Sequence, residues 1–227
     1  EMFTAVLSHD LRTPLMSISA AATVLKRQPD TDRVAVLADR VLSSSQRMGR
    51  MIEDLLDVTR IRHAGGLALQ LGRADMQSIV QRTLDEVQTS FPDRNIESVL
   101  QGDMAGVWDS ERLCQVATNI VGNAIHHGAP DQPVRVAVDG TQASVVTVAV
   151  SNGGTIAPEL LPHLFDPFRG RDRAPGRHQG LGLGLFIAHQ VVRAHGGRID
   201  VHSQDGTTRF VVELPRVSPA AEKWSNT

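Results

Sequence analysis

The sequence predicts an α+β protein in two parts: a helical hairpin that pairs with a second copy into a four-helix bundle, then an α/β sandwich with helices on one face. Three observations carry this. Apolar residues recur in steps of three and four from Leu7 to Val58. Short runs of β-branched residues separated by turns take over after Gly72. Glycines gather at 153 and 154 and again at 180, 182 and 184.

In the first part, Leu7, Leu11, Pro14, Ile18, Ala21 and Leu25 form one helix-packing seam, and Gln28-Pro29-Asp30-Thr31 breaks the helix. A second seam runs through Val34, Leu37, Val41, Ser44, Met48, Met51, Leu55 and Val58 and ends near Gly65-Gly66. Ile52 and Leu56 widen that second stripe beyond what one partner helix covers, so a second hairpin is expected to cover it in a homodimer. The competing arrangement packs the hairpin on the second half of its own chain. Residues 1–66 are assigned to this bundle.

After Gly72, Met76 to Phe91 reads as a helix, and Ile96 to Leu100 and Gly106 to Trp108 read as short strands. Asp109 is a helix N-cap, and the helix it starts runs through His127. Val134 to Val138 and Ser144 to Val150 form a hairpin around Asp139-Gly140. Leu181 to Ala194 is helical, Arg198 to His202 and Thr208 to Leu214 are strands, and Arg216 onward reads as polar tail. The second domain is assigned to 67–216 and the tail to 217–227.

A formal net charge of −2 argues against nucleic acid as partner. The longest apolar run, Val145 to Val150, falls far short of the roughly 18 residues of a membrane helix, so no membrane contact by this segment is expected. The single cysteine, Cys114, forms no internal disulfide and suggests no zinc site, which points to a reducing, cytoplasmic setting. A helical pattern is already running at Phe3, with no initiator methionine or signal peptide before it, so an upstream part is expected before Glu1.

The chemistry begins at Ser8-His9-Asp10-Leu11-Arg12-Thr13-Pro14-Leu15. His9 lies two positions, roughly 200° of helix rotation, from both Leu7 and Leu11, which points it away from the seam into solvent, where a neutral imidazole serves as a nucleophile. Pro14 removes the donor that would bond the Asp10 carbonyl and is expected to bend the helix. Asn119 and Asn123 share one helix face that His126 and His127 continue, and an amide oxygen suits a hard cation bound to phosphates. Val150-Ser151-Asn152-Gly153-Gly154-Thr155-Ile156 ends a strand in two glycines that let a ligand approach, with Asn152 able to bond a base edge. Leu164-Phe165-Asp166-Pro167-Phe168 leads into Arg169 to Gln179, a lid-like stretch with four arginines. Gly180-Leu181-Gly182-Leu183-Gly184-Leu185 then opens a helix whose bare amides suit phosphate. Neither a dinucleotide fingerprint nor a P-loop is present.

In this order the segments resemble the boxes of the sensor histidine kinases of two-component signalling. Ser8 to Leu15 resembles the phosphoacceptor box, Asn119 to His127 the N box, Asn152 to Ile156 the first glycine box, Phe165 to Phe168 the F box, and Gly180 to Leu185 the second glycine box. Gly206-Thr207-Thr208-Arg209-Phe210, followed by Leu214-Pro215, resembles the closing strand, and the style of the phosphoacceptor and first glycine boxes also resembles phytochrome-related kinases.

The resemblance implies a dimerisation and histidine phosphotransfer bundle joined to a Bergerat-type ATP-binding domain. It implies ATP and Mg²⁺, phosphorylation of His9, and transfer to an aspartate of a response regulator receiver domain, with a sensor region upstream. Asp10 would assist His9, and its spacing to Thr13 resembles the family motif for dephosphorylating the regulator. Asn123 would hold magnesium, with Asn119 and His126 or His127 near the phosphates. Asn152 and Gly154 would face adenine, Thr208 would line the base pocket, Gly180, Gly182 and Gly184 would shape the lid hinge, and Arg169 and Arg171 would meet phosphate.

Two departures stand out. Asn152 occupies the family's aspartate position in a segment about one residue short, with Ser151 as an alternative equivalent, and histidines stand at 126 and 127 where many relatives carry a basic residue and a tyrosine. Asn152 in place of aspartate opens a rival reading, a degenerate non-catalytic dimerisation and nucleotide-binding module. An ATPase of the chaperone or mismatch-repair kind needs a carboxylate base in the N-box helix, where this chain has Asn119.

Overall fold

The computed structural model describes residues 2–26, 31–63, 67–168 and 181–217, and the side chains within these except those of 2–9, 31, 32, 62 and 63. Helices α1 (Met2–Leu25) and α2 (Thr31–His63) pack as a hairpin, α1 running unbroken through Pro14. Both seams are where the sequence puts them. Pro14 and Ala21 are buried on α1 with Leu11, Ile18 and Leu25 half-buried, and Ser44, Met51 and Val58 are buried on α2 with Leu37, Val41, Met48 and Leu55 half-buried. Val34, beside the turn, is exposed. Leu15, Leu42, Ile52 and Leu56 lie off the seams and keep 45–59% of their surface exposed. The helix-breaking residues 28–30 and Gly65-Gly66 lie outside the described residues.

Strand β1 (Gly72–Asp75) enters the second half and pairs with β3 (Ala105–Trp108) in a two-stranded ribbon. Its sequence, Gly-Arg-Ala-Asp, has no alternation to announce a strand, and it is held by its pairing alone. Asp75 caps α3 (Met76–Ser90), accepting the Ser78 N–H at 3.0 Å, and Asp109 caps α4 (Ser110–His127), accepting the Arg112 N–H at 3.1 Å. The main sheet is ordered β2 (Ile96–Gly102), β4 (Val134–Gly140), β5 (Val145–Gly153), β7 (Thr207–Pro215), β6 (Arg198–Gln204). It is antiparallel except for the β2–β4 pair, so the sheet is mixed.

Helices α3, α4 and α5 (Gly184–Ala194) lie toward one face of the sheet. Val136, Val150, Val212 and Leu214 meet Met76, Val80, Leu113 and Ile120 across a dry cavity of about 30 Å³.

Three details correct the sequence reading. Helix α5 begins at Gly184 rather than Leu181, because Gly182 takes a left-handed φ of 68° that a helix does not allow. A 3₁₀ turn spans Pro158–His163, where no element was expected. Arg216, expected to open a polar tail, clasps the sheet: its guanidinium donates to the carbonyls of Asp103, Ala105, Gly140 and Gln142 at 2.7–3.2 Å. Residues 218–227 lie outside the described residues.

The hairpin also packs on the second half of its own chain, as the competing arrangement foresaw. Met51 and Val58 join the apolar cluster of the second half. The buried Asp57 carboxylate accepts from Arg112 Nη1 at 2.5 Å and from Gln115 Nε2 at 3.1 Å, both on α4.

Candidate active site

His9, Asp10 and Thr13 lie on α1 within about one turn. Asp10 is half-buried and Thr13 exposed, while the His9 side chain lies outside those described. The rest of the candidate site forms around the C-terminal half of α4 and the ends of β5 and β7.

Asn119 donates its Nδ2 to the Gly184 carbonyl at 3.0 Å, joining α4 to the first residue of α5. A Cβ at Gly184 would stand 2.9 Å from Asn119 Oδ1, so glycine is what lets the two helices meet this closely. One turn on, the half-buried Asn123 amide makes no hydrogen bond among the described residues. His126 sets Nδ1 2.6 Å from the Gly122 carbonyl and packs edge-on against Phe91 at 5.3 Å. A carbonyl only accepts, so Nδ1 carries the hydrogen and Nε2 of the neutral ring remains an acceptor. His127 is exposed, and its carbonyl lies close beside Gly154.

Asn152 and Thr208 are cross-strand partners, both buried. Side chains alternate along β5, and Val150 lines the helix-side cavity, so Asn152 shares that face while Ser151 points to the other. Asn152 Nδ2 donates to the Gly153 carbonyl at 2.9 Å, which leaves Oδ1 as the acceptor on offer. Gly154 is fixed on both sides, its N–H donating to the Gly206 carbonyl at 2.7 Å and its own carbonyl accepting from the Thr208 hydroxyl at 2.9 Å.

Beyond the 3₁₀ turn, Phe165 stacks on His189 with ring centroids 5.1 Å apart, and His163 Nδ1 lies 2.8 Å from Asp166 Oδ2. Burial holds the His189 pKa below the usual value, and Arg193 adds to the effect. Phe168 donates its N–H to the Gly182 carbonyl at 3.0 Å, tying together the residues that flank 169–180. Gly180, Arg169 and Arg171 fall in that stretch and lie outside the described residues.

Several residues of this region gave no sequence signal. Ser203 joins Thr208 and Ile156 through its hydroxyl. The Arg94 guanidinium has Nε and Nη2 buried without a hydrogen-bond partner among the described residues, and Nη2 lies 3.1 Å from where a Gly128 Cβ would stand, at the C-terminal end of α4. A cation there offsets the carbonyl end of the helix dipole. Both were missed because strands and loops bring together residues that periodicity treats as unrelated.

These groups fit a purine nucleotide: an acceptor at Asn152 Oδ1 for an amino group, and an amide at Asn123 that has no hydrogen-bond partner among the described residues. Among the described residues no cluster of three His, Cys, Asp or Glu could hold a metal by itself. The side-chain oxygens of Asn119 and Asn123, together with nucleotide phosphates, are a donor set that suits magnesium.

Residues 1–64 match the His Kinase A (phospho-acceptor) domain, and residues 108–218 match the family described as Histidine kinase-, DNA gyrase B-, and HSP90-like ATPase. The Bacteriophytochrome of Pseudomonas aeruginosa is 35% identical over 212 residues, 93% of this chain and 29% of that protein. The Probable sensor histidine kinase TcrY of Mycobacterium tuberculosis is 34% identical over 216 residues, 94% of this chain and 45% of that protein. The chain thus spans less than half the length of either relative. Among solved structures, the histidine kinase AdeS of Acinetobacter baumannii superposes with a TM-score of 0.69 at 21% identity, over 92% of this chain and 98% of that one.

Proposed function

The chain belongs to the sensor histidine kinases of two-component signalling, and from that premise we propose that it is the catalytic region of an ATP-dependent protein-histidine autokinase. In this reading the neutral His9 imidazole attacks the γ-phosphorus of ATP in line, the bond to the ADP oxygen breaks, and the phosphoryl group later passes to an aspartate of a response regulator receiver domain. Asp10 accepts a hydrogen bond from the other ring N–H as positive charge develops on the imidazole. Thr13, one turn on from His9, serves the reverse task of removing phosphate from the regulator.

Asn152 Oδ1 and Gly154 face adenine, and Thr208 lines the base pocket. Asn119, His126 and His127 stand near the phosphates, and Gly180, Gly182 and Gly184 shape the approach to them. Asn123 would hold magnesium, which would supply neutralisation of phosphate charge when bound. The bundle of 1–66 precedes the ATP-binding domain of 67–216 and the tail of 217–227.

The homodimer is supported by the exposed Leu15, Leu42, Ile52 and Leu56. Among the described residues no helix is long and apolar enough to cross a membrane; the cytoplasmic setting of this segment belongs to the proposal. The observation that carries the reading is the buried Asn152–Thr208 pair, whose Asn152 Oδ1 has no partner among the described residues, set at the end of the helix that bears Asn119 and Asn123, on the same chain as the His9 helix.

The test is incubation with ATP carrying a radiolabelled γ-phosphate and magnesium. The expected product is an acid-labile, base-stable protein label that disappears in His9→Gln. Label that persists in the variant overturns the role of His9, and failure of the wild type to bind ATP favours the non-catalytic module.

A further inference from the structure

Around Asn152 most hydrogens are already committed. The Thr208 hydroxyl donates to the Gly154 carbonyl at 2.9 Å, the Gly154 N–H to the Gly206 carbonyl at 2.7 Å, and the Ile156 N–H to Ser203 Oγ at 2.7 Å. With the threonine hydrogen so placed, the Ser203 hydroxyl donates to Thr208 Oγ1 across 2.9 Å. Beside these groups Asn152 keeps both a hydrogen and an acceptor to offer a base. We propose that the amide of Asn152 makes this pocket a general purine site that takes GTP as well as ATP. The proposal rests on the nucleotide-binding reading above and widens its substrate class.

The Gly153 carbonyl orients the amide. A carbonyl only accepts, so the Asn152 atom 2.9 Å from it is Nδ2, and a flipped amide would set two acceptors at that distance. One of the two Nδ2 hydrogens is taken there. The second N–H and Oδ1 have no partner among the described residues. Among those residues the only buried side-chain nitrogen or oxygen atoms that lack a partner belong to Arg94, so Asn152 Oδ1 is open to a ligand although the residue as a whole is buried.

Adenine carries an amino group, a donor, where guanine carries a carbonyl oxygen, an acceptor. A carboxylate would accept from the first and repel the second. An amide answers both: Oδ1 accepts from the adenine amino group, and the second Nδ2–H donates to the guanine carbonyl when that base sits displaced by the width of the amide. The neighbouring charge acts in the same sense. Arg94 Nη2 and Asn152 Cβ lie 3.1 and 3.0 Å from the point where a Gly128 Cβ would stand, which sets a cation beside the amide. A positive charge favours a carbonyl oxygen over an amino group.

The test is competition of ATP and of GTP, each with magnesium, against ATP carrying a fluorophore on its ribose, bound to the full 227-residue chain. The two affinities of the wild type are expected to lie within about tenfold of each other, since neither base is left without its hydrogen bond. Asn152→Asp keeps the shape and removes the donor, and is expected to weaken GTP relative to ATP by roughly a further tenfold, as two acceptors then face each other. Asn152→Ala removes both groups and is expected to weaken the two nucleotides alike, which keeps the proposal testable if Asn152→Asp does not fold. A wild type that prefers ATP by more than about tenfold overturns the proposal while leaving nucleotide binding intact. An unchanged ratio in Asn152→Asp, or a loss confined to ATP in Asn152→Ala, overturns it as well, because the amide would then not be what reads the base. A wild type that binds neither nucleotide overturns the nucleotide reading and this inference with it.

Discussion

His195 shows how a single side chain ties the second half together. It is fully buried, its Nε2 accepts the Asp109 N–H at 3.0 Å, and its Nδ1–H donates to the Val191 carbonyl at 2.9 Å. Only the neutral ring with hydrogen on Nδ1 makes both bonds. Burial holds its pKa below the usual value, outweighing the Val191 bond and the Asp109 charge, which push it up. The unfolded chain therefore takes the proton first: the contribution of His195 to stability is full above about pH 6.5 and is lost as pH falls below it. Asp54 acts in the opposite sense. Its pKa is raised to about 6 by burial, then by Asp57 and Glu53, against Arg50, so its contribution is lost as pH rises through that value. Comparing variants separates the two. His195→Gln keeps an acceptor and cannot charge, so denaturation midpoints of the wild type are expected to fall more steeply than those of the variant between pH 7 and pH 5. Parallel profiles would mean that His195 is not the group that titrates. Of the residues proposed for the site, His9, Asn123 and Asn152 stand in local sequence patterns, whereas Ser203 and Arg94 are brought beside them only by the fold.

The elements divide in the same way. The seams of α1 and α2 were readable residue by residue, because burial on one side of a helix writes its period directly into the sequence. The cap of α4 was readable as well, since Asp109 bonds the amide three residues on, whereas the matching cap of α3 at Asp75 emerged only with the structure. Strand β1 and the start of α5 were not: the first is held by pairing with β3, and the second is set by the backbone angle at Gly182. The layer of α3 and α4 over the sheet also has packing that periodicity does not report. Val80 on α3 lines the dry cavity of about 30 Å³ with Val116, Ile120 and Val150. Val80→Ile adds one methylene beside that space while keeping the branched rotamer. Burying it is expected to stabilise the fold by about 0.8 kcal/mol, raising the thermal midpoint by roughly 2–4 °C. An unchanged or lower midpoint in thermal unfolding would show that the gap is closed to that side chain.

At the scale of the molecule, α2 has to satisfy two neighbours at once. Its C-terminal end meets the second half of its own chain through Met51, Val58 and the Asp57 carboxylate, which is held by Arg112 and Gln115. No sequence pattern pairs Asp57 with a residue more than fifty positions away, so this contact was legible only as one of two alternatives for covering the hairpin. It does not remove the other alternative. The docked second half leaves Leu42, Ile52 and Leu56 of α2 and Leu15 of α1 in water. Exposed leucine and isoleucine in such a row match the fourfold packing of a bundle, where each would be covered by a neighbouring helix. Light scattering at micromolar concentration is therefore expected to give twice the mass of the chain. Ile52→Glu with Leu56→Glu should give the mass of one chain with its helical content kept, because both side chains are exposed within a single copy and burying two carboxylates between copies is costly. Arg112→Ala breaks the docking contact instead and should stay dimeric. A wild type that is monomeric, or a double variant still dimeric, would show that this face is not the surface that joins two copies.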